Sequence, residues 1–281
     1  MAWQEIGDRV FTRRYRFFDQ QIGVVLGGRD VLVVDTRSTP AQAREIATEL
    51  RELTRDPVSI IVDTHWHFDH TFGNSIFRPA TAWGHVRAAA QLVREGPAMI
   101  EEVARELPEI AADIRETIID PPENTFDDRV MVPVGDRLVE LSYHGRAHTD
   151  GDIVLVVADA NVMFAGDLLE EGAPPSFGDS FPLEWPATVE RLLPLATGAV
   201  VPGHGGIGDR AFIEDQLAAF RRLVELSRAV HEGSLDVEAA IAGSPFGPDT
   251  PRTAFERALA QLRGELAEPA VAASAAPEGL R

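Results

Sequence analysis

Thr64-His65-Trp66-His67-Phe68-Asp69-His70-Thr71 is the stretch whose reading decides the fold. Four of these residues, His65, His67, Asp69 and His70, are of metal-ligating type. They follow Ser59-Ile60-Ile61-Val62-Asp63, an apolar, β-branched run that reads as a buried strand. Gly73 and Asn74 break the pattern just after. The cluster therefore belongs to the loop at the end of a core strand, and a packed strand holds loop ligands to a tight tolerance. In extended chain, positions i and i+2 point to one side, so His65 and His67 can grip one ion together. Asp69 and His70 lie where the chain begins to turn and can face a second ion. A polar surface loop with accidental histidines is the bland alternative. It must place three His and one Asp in six residues of a chain with only 8 His.

Working outward, three more segments offer partners. His148 lies in Gly145-Arg146-Ala147-His148-Thr149-Asp150-Gly151-Asp152 and precedes the apolar run from Ile153 to Val157. Asp167 ends Asn161-Val162-Met163-Phe164-Ala165-Gly166-Asp167, and His204 follows Val200-Val201-Pro202-Gly203. Nearby glycines let backbone approach a compact centre. Singly, each would be read as a core-edge His or a turn Asp; with the first stretch they form a set.

This order resembles the metallo-β-lactamase superfamily: His-x-His-x-Asp-His, then a His before Thr-x-Gly, then Gly-Asp after a strand, then Gly-His. The likeness runs from about Val10 to His204, and Phe164-Ala165-Gly166-Asp167 is similar to the glyoxalase II type of hydrolase. The resemblance implies an α+β fold, the αββα sandwich. It implies that His65, His67 and His148 hold one metal, that Asp69, His70 and His204 hold the other, and that Asp167 bridges both. In class B1 lactamases a Cys stands at the Asp167 position, and this chain has none.

Seven N/O ligands exceed what one catalytic zinc takes. Two Zn2+ ions sharing Asp167 would use them all and lower the pKa of a bridging water to give hydroxide near neutral pH. One or two Fe or Mn ions are the alternative. Asp69 is the catalytic candidate, as ligand and as orienter of that hydroxide. Asp63 and Asp152 are candidates to orient ligand imidazoles, or simply to cap loops. Trp66, Phe68, Phe177 and Trp185 are candidates for the substrate pocket, with core packing the competing reading for each. Arg146 and Arg78 are candidate carboxylate contacts.

The chain has 281 residues and a net charge of −19, enough length for one domain with a large core. We expect one domain over 1–266, a helical insertion over 86–119 that forms a lid or a packing appendage, and a disordered Ala/Pro-rich tail over 267–281. Every basic residue is Arg, which excludes Schiff-base chemistry by Lys. The acidity argues against nucleic acid and for a small-molecule substrate. No signal-like segment opens the chain and no run is long enough to span a membrane, so the cytoplasm is expected. Oligomeric state is left open.

Strands are expected over Val10–Phe17, Ile22–Leu26, Val31–Val34, Val58–Asp63, Thr81–Trp83, Arg129–Val134, Arg137–Tyr143, Ile153–Ala158, Val162–Ala165 and Ala199–Val201. Helices are expected over Pro40–Leu53, Trp185–Leu195, Arg210–His231, Val237–Ile241 and Ala254–Leu266. Gly96-Pro97 and Pro108 are expected to divide 86–119 into short helices. His85, which opens that segment, is expected to be structural rather than a substrate contact. Gly203-His204-Gly205-Gly206-Ile207-Gly208 matches a dinucleotide fingerprint. With Pro202 before it and no strand after the next helix, its glycines are better read as room for the loop to close on metal.

The leading function is a dinuclear metallohydrolase cleaving a small ester, thioester, lactone or related bond. A β-lactamase and a mononuclear iron persulfide dioxygenase are the alternatives.

Overall fold

The computed structural model describes residues 2–247 and 251–266. Its first half runs β1 (Gln4–Gly7), β2 (Val10–Arg14), β3 (Gln21–Gly27), β4 (Asp30–Val34), α1 (Pro40–Glu49), β5 (Ile60–Val62), α2 (Phe68–Thr71), β6 (Thr81–His85), α3 (Val86–Glu106), α4 (Ala111–Ile114) and β7 (Asn124–Phe126). The second half runs β8 (Arg129–Val134), β9 (Arg137–Tyr143), β10 (Ile153–Val157), β11 (Val162–Glu170), α5 (Trp185–Glu190), β12 (Ala199–His204), α6 (Arg210–His231), α7 (Val237–Ala242) and α8 (Pro251–Leu262). The tail expected over 267–281 lies outside the described residues.

Two sheets result, one ordered β1-β2-β3-β4-β5-β6-β7 and one ordered β12-β11-β10-β9-β8. Pairing is antiparallel from β1 to β4 and parallel from β4 to β7. In the second sheet only β11 and β12 are parallel.

The two-residue period of a strand explains the layers. Leu32, Val34, Ile60 and Val62 face the other sheet and meet Leu141, Leu155, Phe164 and Val201. Their neighbours Val31, Val33 and Ile61 turn outward onto Ala43, Ile46 and Leu50 of the α1 region. On the second sheet Val154, Met163, Ala165 and Val200 turn outward onto Leu217, Phe220 and Leu223 of α6. Both faces of both sheets are thus covered, which gives the αββα sandwich. Each fully buried Val, Leu, Ile or Phe contributes roughly 1.5–3 kcal/mol.

Local signals place the helix starts. Thr39 accepts from the Gln42 amide at 3.2 Å, ahead of Pro40 in the first turn. The segment from 86 departs from expectation. Pro108 does follow the end of α3, but α3 runs unbroken through Gly96-Pro97. Pro97 and Val93, whose carbonyl loses its helical partner to the proline, are both exposed residues. Gly96 is needed for proximity: a Cβ there would lie 2.8 Å from the Ile119 side chain. The short β1 and β7 were not anticipated.

Candidate metal centre

The site forms between the end of β5 in one sheet and the neighbouring strands β11 and β12 of the other. His65 and His67 lie in the loop after β5, and Asp69 and His70 lie in α2. His148 comes from the β9–β10 loop, Asp167 from within β11, and His204 closes β12. All seven expected ligands converge. Single ligand atoms of His65, His67, His148 and Asp167 lie within 4.8 Å of one another, as do those of Asp69, His70 and His204.

Asp167 sits between the two groups. Its Oδ2 is 3.7 Å from His65 Nε2, 3.4 Å from His148 Nε2 and 3.3 Å from His204 Nε2. Its Oδ1 is 3.3 Å from His70 Nε2. Asp69 Oδ2 lies 3.4 Å from His70 Nε2 and 3.3 Å from His204 Nε2. A close backbone approach makes this possible: a Cβ on Gly203 would fall 1.8 Å from Asp167 Oδ1.

Each ring is aimed by a contact on its other nitrogen. His67 Nε2 is 3.1 Å from Asp179 Oδ1, which turns Nδ1 inward to within 2.8 Å of His148 Nε2. His148 Nδ1 donates to the Ser176 carbonyl at 3.2 Å, and His204 Nδ1 to the Phe18 carbonyl at 2.7 Å. His70 Nδ1 donates to Asp35 Oδ2 at 2.8 Å. Asp35 also takes the Thr64 amide at 2.8 Å and the Thr64 hydroxyl at 2.9 Å. That hydroxyl oxygen lies 3.1 Å from His65 Nδ1 and can accept from it. One carboxylate therefore orients a ring in each group.

These residues fit divalent cations. His65 Nε2 and Asp167 Oδ1 are buried with no hydrogen-bond partner, an arrangement that costs free energy unless something ligates them. Ring nitrogens facing each other at 2.8 Å and 3.3 Å, His67 with His148 and His70 with His204, are what a shared cation would reconcile. Without a cation the charges pair with protons. Burial lowers His148 to about 4. Burial acts the same way on His204, but Asp167 and then Asp69 outweigh it and carry that ring up to about 11.

A cavity of about 730 Å³ opens over the site and reaches His67, Asp69, His148, Asp167 and His204. Trp66 and Phe68 line it, with Phe18 and, from α3, Met99. Phe177 and Trp185 do not. Both are buried beside Phe220 and Phe246 under α6, because α5 and α6 close over the outer face of the second sheet. Arg146 and Arg78 do not line it either: Arg146 pairs with Glu184, and Arg78 with Asp120 and Glu123. Asp63 takes the Asn74 amide and Asp152 takes Thr149, so both act as loop caps. His85 caps α3 and stacks on Tyr143. In the glycine run, Gly205 takes φ +92° against the Glu171 carbonyl, and Gly208 bridges to Val200.

Sequence reasoning missed Asp35, Asp179, Gln20 and Glu170. Gln20 is fully buried and donates to the Asp69 carbonyl. Glu170 lines the cavity, accepts from the Ser176 amide at 3.2 Å, and is raised by burial and then by Asp167 to about 8. Asp35 alone had a signal, as a polar residue ending the run Val31–Val34.

An αββα sandwich with a His/Asp cluster at its strand ends defines a metal-dependent hydrolase. The chain belongs to the metallo-beta-lactamase superfamily, whose family model matches residues 15–204. Its relatives include the "Metallo-beta-lactamase type 2" of Bacteroides fragilis, 23% identical over 72% of this chain and 75% of that protein. They also include the bovine "Acyl-coenzyme A thioesterase MBLAC2", 27% identical over 72% of this chain and 80% of that one. A "Linear primary-alkylsulfatase" from Pseudomonas is 25% identical, with the match covering 68% of this chain and 42% of the relative. The solved metallo-beta-lactamase from Pontibacter korlensis superposes with a TM-score of 0.62 at 19% identity, over 78% of this chain and 98% of that one. No helix among the described residues is long and apolar enough to cross a membrane.

Proposed function

We propose that this chain is a dinuclear zinc hydrolase that cleaves a small-molecule ester, thioester, lactone or related bond. The observation that carries the reading is Asp167, one carboxylate within 3.7 Å of four imidazoles drawn from both ligand groups. In this reading His65, His67 and His148 hold one ion, Asp69, His70 and His204 hold the other, and Asp167 serves both. When bound, such a pair supplies Lewis acidity and lowers the pKa of water at the cavity floor. The chain's own residues do the rest. Asp69 reaches the cavity with a carboxylate that can accept a hydrogen bond from the attacking water and fix its orientation. Asp35 and Asp179 hold the imidazoles in the tautomer that leaves the inward nitrogen free. Trp66, Phe68 and Met99 exclude water and pack the substrate's apolar part.

We take residues 1–266 as one domain, with the 86–119 segment supplying a wall of the cavity through α3. We assign the enzyme to the cytoplasm on the sequence reading. The net charge of −19 supports a small-molecule substrate over nucleic acid.

The test is a substrate panel on zinc-loaded protein. We expect an ester, thioester or lactone to be turned over, with loss on chelation and recovery on zinc addition. Nitrocefin turnover matching the best ester would replace this reading with a β-lactamase. One iron per chain, with oxygen uptake on a persulfide, would replace it with a dioxygenase.

A further inference from the structure

The charge around the cavity says something about substrate that the ligands do not. Beyond Asp69, Asp167 and the buried Glu170, five carboxylates line it: Asp19, Glu95, Glu102, Glu171 and Asp179. Among the described residues no guanidinium lines it, and the chain has no Lys. Arg14 offsets Asp19 and Arg94 offsets Glu95 from outside the lining. Arg257 reaches the carbonyls of Asp179 and Ser180 from behind. Asp179 lines the cavity with its carboxylate 3.1 Å from His67 Nε2 and accepts from Trp66 Nε1 at 3.1 Å. Glu171 accepts from the Gly206 backbone amide at 2.7 Å, and its charge acts on Arg14 without a hydrogen bond between them among the described residues. The cavity thus joins a floor of buried ligating atoms without partners, His65 Nε2 and Asp167 Oδ1, to walls where carboxylates outnumber the cations beside them.

We propose that the substrate carries a positive charge, an ammonium group, remote from the bond that is cleaved. This rests on the hydrolase reading and names its substrate class. The electrophilic end goes to the floor and the ammonium lies toward Glu102, Glu171 and Asp179. Aromatic faces favour the same occupant, since Trp66, Phe68 and the 42% exposed Phe18 share the wall and a cation is attracted to ring faces. An acyl-coenzyme A or an alkyl sulfate would instead bring negative charge against these walls. A focused field of one sign changes the local concentration and on-rate of a charged ligand by about 10- to 1000-fold, and salt suppresses the effect.

The experiment uses three S-acetyl thioesters of matched shape on full-length, zinc-loaded protein. Their leaving groups are thiocholine (cationic), 3,3-dimethylbutanethiol (neutral) and 2-mercaptoethanesulfonate (anionic). We expect kcat/KM for the cation to exceed that for the anion by about tenfold or more at low ionic strength. The ratio should shrink with added salt and in the Glu95→Gln/Glu102→Gln double variant, whose changes lie on the solvated face of α3. Calorimetry with 3-phenylpropyl-trimethylammonium and 3-phenylpropane-1-sulfonate reads the same preference without chemistry. Equal handling of the two charges, or a preference for the sulfonates in both assays, overturns the proposal. If none of the thioesters is cleaved yet the ammonium probe binds selectively, the assigned bond class is wrong and the charge selection stands.

Discussion

Replacing Asp35 by Asn tests how the ligands are held. Asp35 is only 2% exposed and accepts three hydrogen bonds at 2.8–2.9 Å, from the Thr64 amide, the Thr64 hydroxyl and His70 Nδ1. Asn has the same size but one acceptor oxygen and one NH2. If the NH2 takes the Oδ2 place, it faces the His70 Nδ1 proton; if it takes the Oδ1 place, it faces the Thr64 amide. Either orientation sets donor against donor in a buried place, a cost of about 1–3 kcal/mol. His70 can relieve the first clash only by moving its proton to Nε2, the nitrogen aimed at Asp167. Changes at such supporting residues reduce metal affinity by about 10- to 100-fold, or about 1.4–2.8 kcal/mol. The assay is competition for zinc against a chromophoric chelator, with circular dichroism to establish that the variant folds. We expect a folded protein with at least one zinc weakened in that range. Zinc affinity within about twofold of wild type would refute the argument that Asp35 sets the tautomer.

Trp185→Ala should destabilise by about 3–5 kcal/mol in denaturant unfolding, because Trp185 is fully buried against Phe220 in the core. A loss confined to KM would return it to the pocket. His85 gives a pH prediction. Burial lowers it to about 4 from an ordinary 6.5. The unfolded chain then binds the extra proton between these values, so the stability from neutral His85 is full above about pH 6.5 and is lost as pH falls toward 4. The loss is at most about 3.4 kcal/mol, from about 2.5 pKa units at about 1.36 kcal/mol each. His85→Asn should flatten that part of the stability curve relative to wild type, and curves of the same shape would rule the contribution out.

The seven converging residues were legible because their signals are local: a dense His/Asp cluster after a β-branched strand, and single ligands near glycines and next to apolar strand-like runs. The sandwich layers were legible in the same way, since alternate residues of Val31–Val34 and Ile60–Val62 face different cores. What aims the rings was not. Asp179 meets His67 across 112 positions and the Phe18 carbonyl meets His204 across 186, contacts that only the tertiary fold creates. Phe177 and Trp185 misled because an aromatic near a ligand looks the same from sequence whether it faces solvent or α6. Pro97 misled because α3 carries it on an exposed face while its other face packs on the core, and that placement is a tertiary property.

The central claim is that Asp167 joins two ions, and metal stoichiometry tests it most directly. Protein purified without chelator and Asp167→Asn would be compared by elemental analysis, with circular dichroism and thioester turnover on both. On this account Asn removes a negative charge where two dications would face each other, and a neutral amide bridges poorly. The account predicts about two zinc ions per chain in the wild type. In the folded variant it predicts reduced occupancy and turnover lower by at least about a hundredfold. One ion or fewer in zinc-supplemented wild type, or a folded variant with full zinc and unchanged turnover, would contradict it.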